Sequence, residues 1–129
     1  MSRSLALVAL LVACAACASV DVTTTQYVGA PRFPAGDPAT VEILRAEPGR
    51  PHDRLGEIML DASIDPAPPI TEIEAKLRDE AAKLGADAVV VVYDRVQPIG
   101  AWVSGPVWSP GVMTVTGRRL VAVAIKYKP

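Results

Sequence analysis

Beyond Cys17 the chain contains no cysteine, and its single histidine is His52. The first absence excludes a disulfide staple, so the folded part must be held by its core alone. The second excludes a Cys–His cluster for a soft metal ion. It also leaves any Ser–His pair dependent on Ser63, Ser104 or Ser109 reaching a residue in a proline-flanked loop. Charge of one sign is not in excess either: 13 Lys and Arg face 14 Asp and Glu, a formal net charge of −1. No basic field therefore draws in nucleic acid. There is no Gly-x-Ser-x-Gly elbow and no phosphate-cradling glycine loop. Asp61-x-Ser63-x-Asp65 with Glu72 mimics the spacing of a calcium loop, but Pro66 occupies the place where the sharp turn needs Gly. These absences lead to the expectation of a protein that is not an enzyme and holds no metal or cofactor.

What is present says most at the N-terminus. Arg3 supplies a positive start, Leu5 to Val12 is an uncharged apolar run, and Leu11-Val12-Ala13-Cys14 closes it. These are the marks of a secretory signal peptide. The four residues Leu11 to Cys14 resemble the bacterial lipobox, in which a peptidase cuts just before a cysteine that carries lipid. The resemblance implies a palmitate-type anchor on Cys14. Cys17 is the alternative, but it has Cys14 three places before it, where the resemblance wants a larger aliphatic residue. It further implies a lipoprotein of the cell envelope. Ala15 stands where an inner-membrane retention signal has Asp, which points to the periplasmic face of the outer membrane. Two plainer readings are an uncleaved anchor and a signal peptide without lipid. With the lipid on Cys14, Cys17 remains as an unpaired thiol open to an intermolecular disulfide.

The expected division is a leader over 1–13, a lipidated N-terminus and tether over 14–37, and a domain over 38–129. The tether mixes Thr, Pro, Gly and Ala, although Val20, Val22, Tyr27 and Val28 around Thr23–Thr25 would suit an edge strand. Twelve prolines cluster and mark the loops. Thr40–Arg45 and Leu55–Asp61 read as strands joined by a loop that could make an antiparallel pair. Thr71 and Glu74 form the T-x-x-E pattern of a capping box ahead of a helix over Glu72–Leu84. Its apolar stripe is Ile73, Leu77, Ala81 and Leu84, and Gly85 stands where a left-handed cap is wanted. Glu72–Lys76, Glu74–Arg78 and Asp79–Lys83 are spaced as favourable ion pairs. Ala88–Tyr93 and Leu120–Tyr127 are continuous apolar runs, the pattern of strands buried on both faces. Asp94–Arg118 between them reads as a long loop with one short strand at Val112–Thr116.

Together these elements predict an α+β fold: a single mixed β-sheet of four to five strands with one helix packed on one face, in the order β-β-α-β-β. The strand Leu55–Ile58 and the helix end Ala81-Ala82-Lys83-Leu84-Gly85-Ala86-Asp87-Ala88-Val89-Val90 resemble RcsF-type outer-membrane lipoproteins. They are similar also to the YbjQ-like family, labelled heavy-metal-binding. The resemblance covers roughly residues 53–127 and implies a small α/β domain, often oligomeric in the YbjQ-like case. The cysteines that RcsF-type proteins use in disulfides are missing here.

One helix covers one face of such a sheet, so the other needs a cover. The expected cover is either the Trp102–Trp108 loop or a second copy, giving a homo-oligomer. Trp102 and Trp108 are the candidates for contact with a partner, since Trp is enriched in binding hot spots. The reading is a membrane-anchored envelope lipoprotein that binds an envelope protein or assembles with itself. The alternative is a lipoprotein that binds a small ligand or metal.

Overall fold

The structure is a computed structural model that describes residues 20–64 and 67–129. Cys14, its alternative Cys17 and the apolar leader lie outside the described residues, as do Asp65 and Pro66 of the calcium-like spacing.

Five strands and one helix make up the domain: β1 (Asp21–Gln26), β2 (Glu42–Leu44), β3 (His52–Ala62), α1 (Ile70–Lys83), β4 (Ala88–Ser104) and β5 (Gly111–Tyr127). They form one mixed sheet in the order β1-β3-β5-β4-β2 with α1 on one face, the α+β arrangement expected from the sequence. β5 lies antiparallel between β3 and β4, and β2 pairs parallel with β4 at the far edge. β3 and β4 therefore run parallel to each other, and α1 is the crossover between them.

Several expectations change. β2 and β3 are not paired; β5, the last strand, enters between β3 and β4 and places β2 beyond β4. The tether is partly domain: Asp21–Gln26 pairs antiparallel with Gly56–Asp61. Phe33 packs against the core, and the Gly36 amide donates to the Ala82 carbonyl at 2.9 Å. The folded part thus reaches back to the buried Val20. The β-branched Val20, Val22 and Thr23–Thr25 offered sheet pairing that the Pro- and Gly-rich remainder obscured.

The stripe Ile73, Leu77 and Ala81 is buried against Leu55, Ile58, Leu60, Val89, Val91 and Leu120 in one core. The C-terminal cap is as read. Gly85 has φ +74°, its amide donates to the Ala82 carbonyl, and the Ala86 amide reaches back to the Ala81 carbonyl, the Schellman pattern. The N-terminus differs. Pro69 is the cap residue, its carbonyl accepts from the amides of Glu72 and Ile73, and no side chain caps the helix. Thr71 is already helical, so the capping box does not form. Thr71→Ala is accordingly expected to change stability by less than about 0.5 kcal/mol, against about 1 kcal/mol for a lost cap. A urea denaturation series reads the difference, and a loss near the larger figure would restore the capping box.

Nor do the three spaced ion pairs form among the described residues. Lys83 pairs with Glu80 at 2.6 Å, Arg78 donates to the Val41 carbonyl, and Glu74 faces Arg45 at 3.8 Å. For Arg78 and Glu74 contacts off the helix, and for Lys83 the nearer Glu80 on it, replace these pairs, each worth only a few tenths of a kcal/mol.

The opposite sheet face carries a small second core of Ala88, Val90 and Ile125, with Leu44, Val123 and Tyr127 packed on it. Its partial cover is the segment between β2 and β3. Arg45, Ala46 and Glu47 stand over Val90, Val123 and Ile125 around a groove of about 320 Å³, and Arg50 lies over the Tyr127 ring at 4.4 Å. The tryptophans do not fold across this face. Met59 and Val92 remain exposed on it.

Candidate functional site

The segment read as a long loop is mostly strand. β4 and β5 pair with each other from Ala88↔Ile125 to Ser104↔Gly111. β3 leaves β5 at Ala62↔Arg118, and β2 leaves β4 at Leu44↔Val90. The last part of the β4–β5 ladder is therefore a two-stranded arm extending past the sheet. Pro98 and Gly100 looked like loop residues. They flank a register shift at Ile99 on the outer edge of β4, where proline removes no shared ladder bond. The arm closes through Gly105 at φ +97° and a turn in which the Ser109 amide donates to the Pro106 carbonyl at 2.9 Å.

Residues 96–117 contain no Asp, Glu, Lys, Arg or His. This uninterrupted lack of charge was the signal in the sequence that the loop reading passed over. Trp102 faces Met113 across the ladder, and Val103 faces Val112. Trp108 sits in the closing turn, 87% exposed, beside the equally open Val107, while Trp102 is 70% exposed. Both sequence-predicted partner residues thus sit on one arm. Inward of Trp108, Trp102 and Met113 line a groove of about 190 Å³ together with Ile64 and Ala67.

Charge is concentrated at the arm's root. Asp94 takes two bonds from Arg118, at 2.8 and 2.7 Å, and one from Arg45 at 2.8 Å. These bonds, led by that from Arg118, hold the Asp94 carboxyl below the usual carboxylate range despite its partial burial. On the next row Arg119 reaches Asp61 at 3.2 Å, and Arg95 lies over the Tyr93 ring. A carboxyl depressed in the folded state stabilises it above the unfolded pKa of about 3.9, and that stabilisation fades as pH falls through the folded value. The stability difference between the parent and Asp94→Asn is expected to be full near neutrality and to shrink below about pH 4. Thermal melts of both proteins across that range check it; a constant difference would contradict it.

The remaining polar features do not converge on a reaction centre. His52 is held by the Arg50 carbonyl at 2.7 Å and by Glu47 at 3.2 Å. Arg119 and the Ser63 amide engage Asp61, the first residue of the calcium-like spacing. Among the described residues no three His, Cys, Asp or Glu side chains gather to hold a metal ion. A groove of about 360 Å³ runs between α1 and the segment 35–38, lined in part by Lys76, Asp79, Glu80 and Lys83. It is open, and its Glu80 carboxylate is already engaged by Lys83 and Thr24. Comparison with family models, curated proteins and solved structures found no match to this chain.

Proposed function

We propose that this chain is a lipid-anchored lipoprotein of the bacterial envelope that works by contact and not by catalysis. The observation that carries the reading is the arm. An uncharged hairpin with two exposed tryptophans extends from the domain. A two-stranded hairpin standing alone in water is marginally stable, and large exposed apolar groups gathered in one place mark interaction surfaces. The open sheet face at Met59 and Val92 offers a second apolar surface, for another envelope protein or a second copy. The leader supports the location: its lipobox-like Leu11–Cys14 supplies the anchor, on the outer membrane by the same resemblance.

Two measurements test this. Cys14→Ala is expected to abolish palmitate incorporation; label lost only in Cys17→Ala would move the anchor, and a parent that takes up no label would remove it. Photo-crosslinkers placed in cells at Met59, Val92, Trp102 and Trp108 are expected to yield adducts from at least one of the two surfaces, and none from Lys76 on α1. Adducts from α1 alone would overturn the contact reading. A metal or envelope metabolite that raised the melting temperature by several degrees would favour the small-ligand alternative.

A further inference from the structure

We infer that the β4–β5 arm docks its tip into the headgroup layer of the membrane that holds the lipid anchor, giving the domain a second attachment. The inference rests on the anchored reading above and names the partner of the arm.

The direction of the arm carries it. Asp21, the first residue of β1, pairs with Asp61; Asp61 pairs with Arg119, and Arg119 with Arg95. The chain therefore enters the sheet on the row from which the arm departs. A lipid on Cys14 is tied to Asp21 by a leash of at most about 25 Å when fully extended. From Arg119 to Gly111 the arm runs about 26 Å, and the turn bearing Val107 and Trp108 lies beyond. Anchor and arm leave the same end of the sheet with matching reach. A domain held that close to a membrane by that end brings the tip to its surface.

The chemistry fits the place. Tryptophan prefers the membrane–water interface, where its ring is apolar and its N–H stays wet. Over residues 96–117 no charge has to be desolvated. The charged residues stay at the root, where Arg119 reaches Asp61 and Arg95 lies over the Tyr93 ring, away from the tip. The ladder also limits the depth. Beyond β3 and β2 both outer edges of the arm have unpaired backbone groups, and open edges are not tolerated in the hydrocarbon core. The tip therefore rests among headgroups and does not span.

Trp102 and Trp108 are the only tryptophans in the chain, so intrinsic fluorescence reports on the arm alone. The acylated protein is reconstituted in phosphatidylethanolamine–phosphatidylglycerol vesicles, with and without brominated acyl chains. The expected result is blue-shifted emission relative to the protein in detergent-free buffer, most of it quenched by the brominated lipid. Val107→Glu is expected to lose that quenching while the protein still floats with the vesicles and melts as the parent does, because Val107 is fully exposed. Emission quenched by aqueous acrylamide and not by brominated lipid overturns the inference. So does lipid-independent blue shift accompanied by a doubled particle size, which would assign the arm to a second copy. Weakened flotation in Cys14→Ser, with brominated-lipid quenching kept in the fraction that still floats, would keep the two attachments distinct. If the parent itself proves unacylated, the anchored reading fails, and brominated-lipid quenching on mixing still decides the arm.

Discussion

Leu77→Ala is expected to destabilise the protein by about 2–5 kcal/mol. Leu77 is fully buried, midway along α1, the one α-helix among the described residues, and shares its core with Leu55, Ile58, Leu60 and Leu120. Truncation removes the transfer energy of the lost groups and leaves a cavity beneath α1. The sheet side of that cavity is built partly from Ala122 and Ala124, whose side chains cannot swing in to fill it. No second helix or disulfide shares the load within the described residues. For a domain whose whole stability is of order 5–15 kcal/mol, this is a large fraction. Urea denaturation should show a lower midpoint with an unchanged slope, while Lys76→Ala one residue away should stay within about 0.5 kcal/mol of the parent. A loss below about 1 kcal/mol would mean that this stripe does not dock the helix.

Gly85→Ala is expected to cost more than about 2 kcal/mol, from two separable causes. The first is backbone strain, since φ is +74°, a region where a side chain costs about 1–2 kcal/mol. The second is steric. A Cβ at this position would stand 2.6 Å from the Phe33 Cβ and 2.6 Å from the Pro34 carbonyl oxygen. The carbonyl is backbone and cannot rotate aside without moving the segment that packs Phe33 on the core. Gly29 supplies the control. Its φ is +80°, and a Cβ there meets nothing within 4 Å. Gly29→Ala should show the strain alone, about 1 kcal/mol. Equal losses at the two positions would remove the close approach of residues 33–34 to the helix end.

The helix and buried strands were legible because their signals are local. Ile73, Leu77 and Ala81 repeat with the helical period, Gly85 marks the end, and Val89–Val91 are apolar without interruption, as burial on both faces requires, although Val92, which continues the run, is exposed. The arm was less legible. Pro98, Gly100, Pro106 and Pro110 are the same residues that mark loops, and nothing in the sequence reports whether a neighbouring strand needs their amides. On the side of β4 that faces no further strand none does, so Pro98 stays in the strand while Pro106 and Pro110 fall in the turn. The capping box failed for a related reason. Thr71 and Glu74 have the right spacing, but the Pro69 carbonyl is an equally good first acceptor and begins the helix at Ile70.

By itself, then, the sequence determined α1 and its buried face, the apolar parts of β3, β4 and β5, the left-handed cap at Gly85 and the absence of any disulfide or Cys–His centre in the domain. These follow from periodicity and composition, which act over a few residues. Only the tertiary structure decided the strand order, the recruitment of Asp21–Gln26 to the sheet, the cover that residues 45–47 lend to the second face, and the extension of β4 and β5 past their neighbours into an arm. The strand order and the recruitment of Asp21–Gln26 depend on backbone pairing with residues far away in the chain, and the cover and the arm depend on where those neighbouring strands lie and stop. Those pairings are long-range, so no local pattern of residues encodes them.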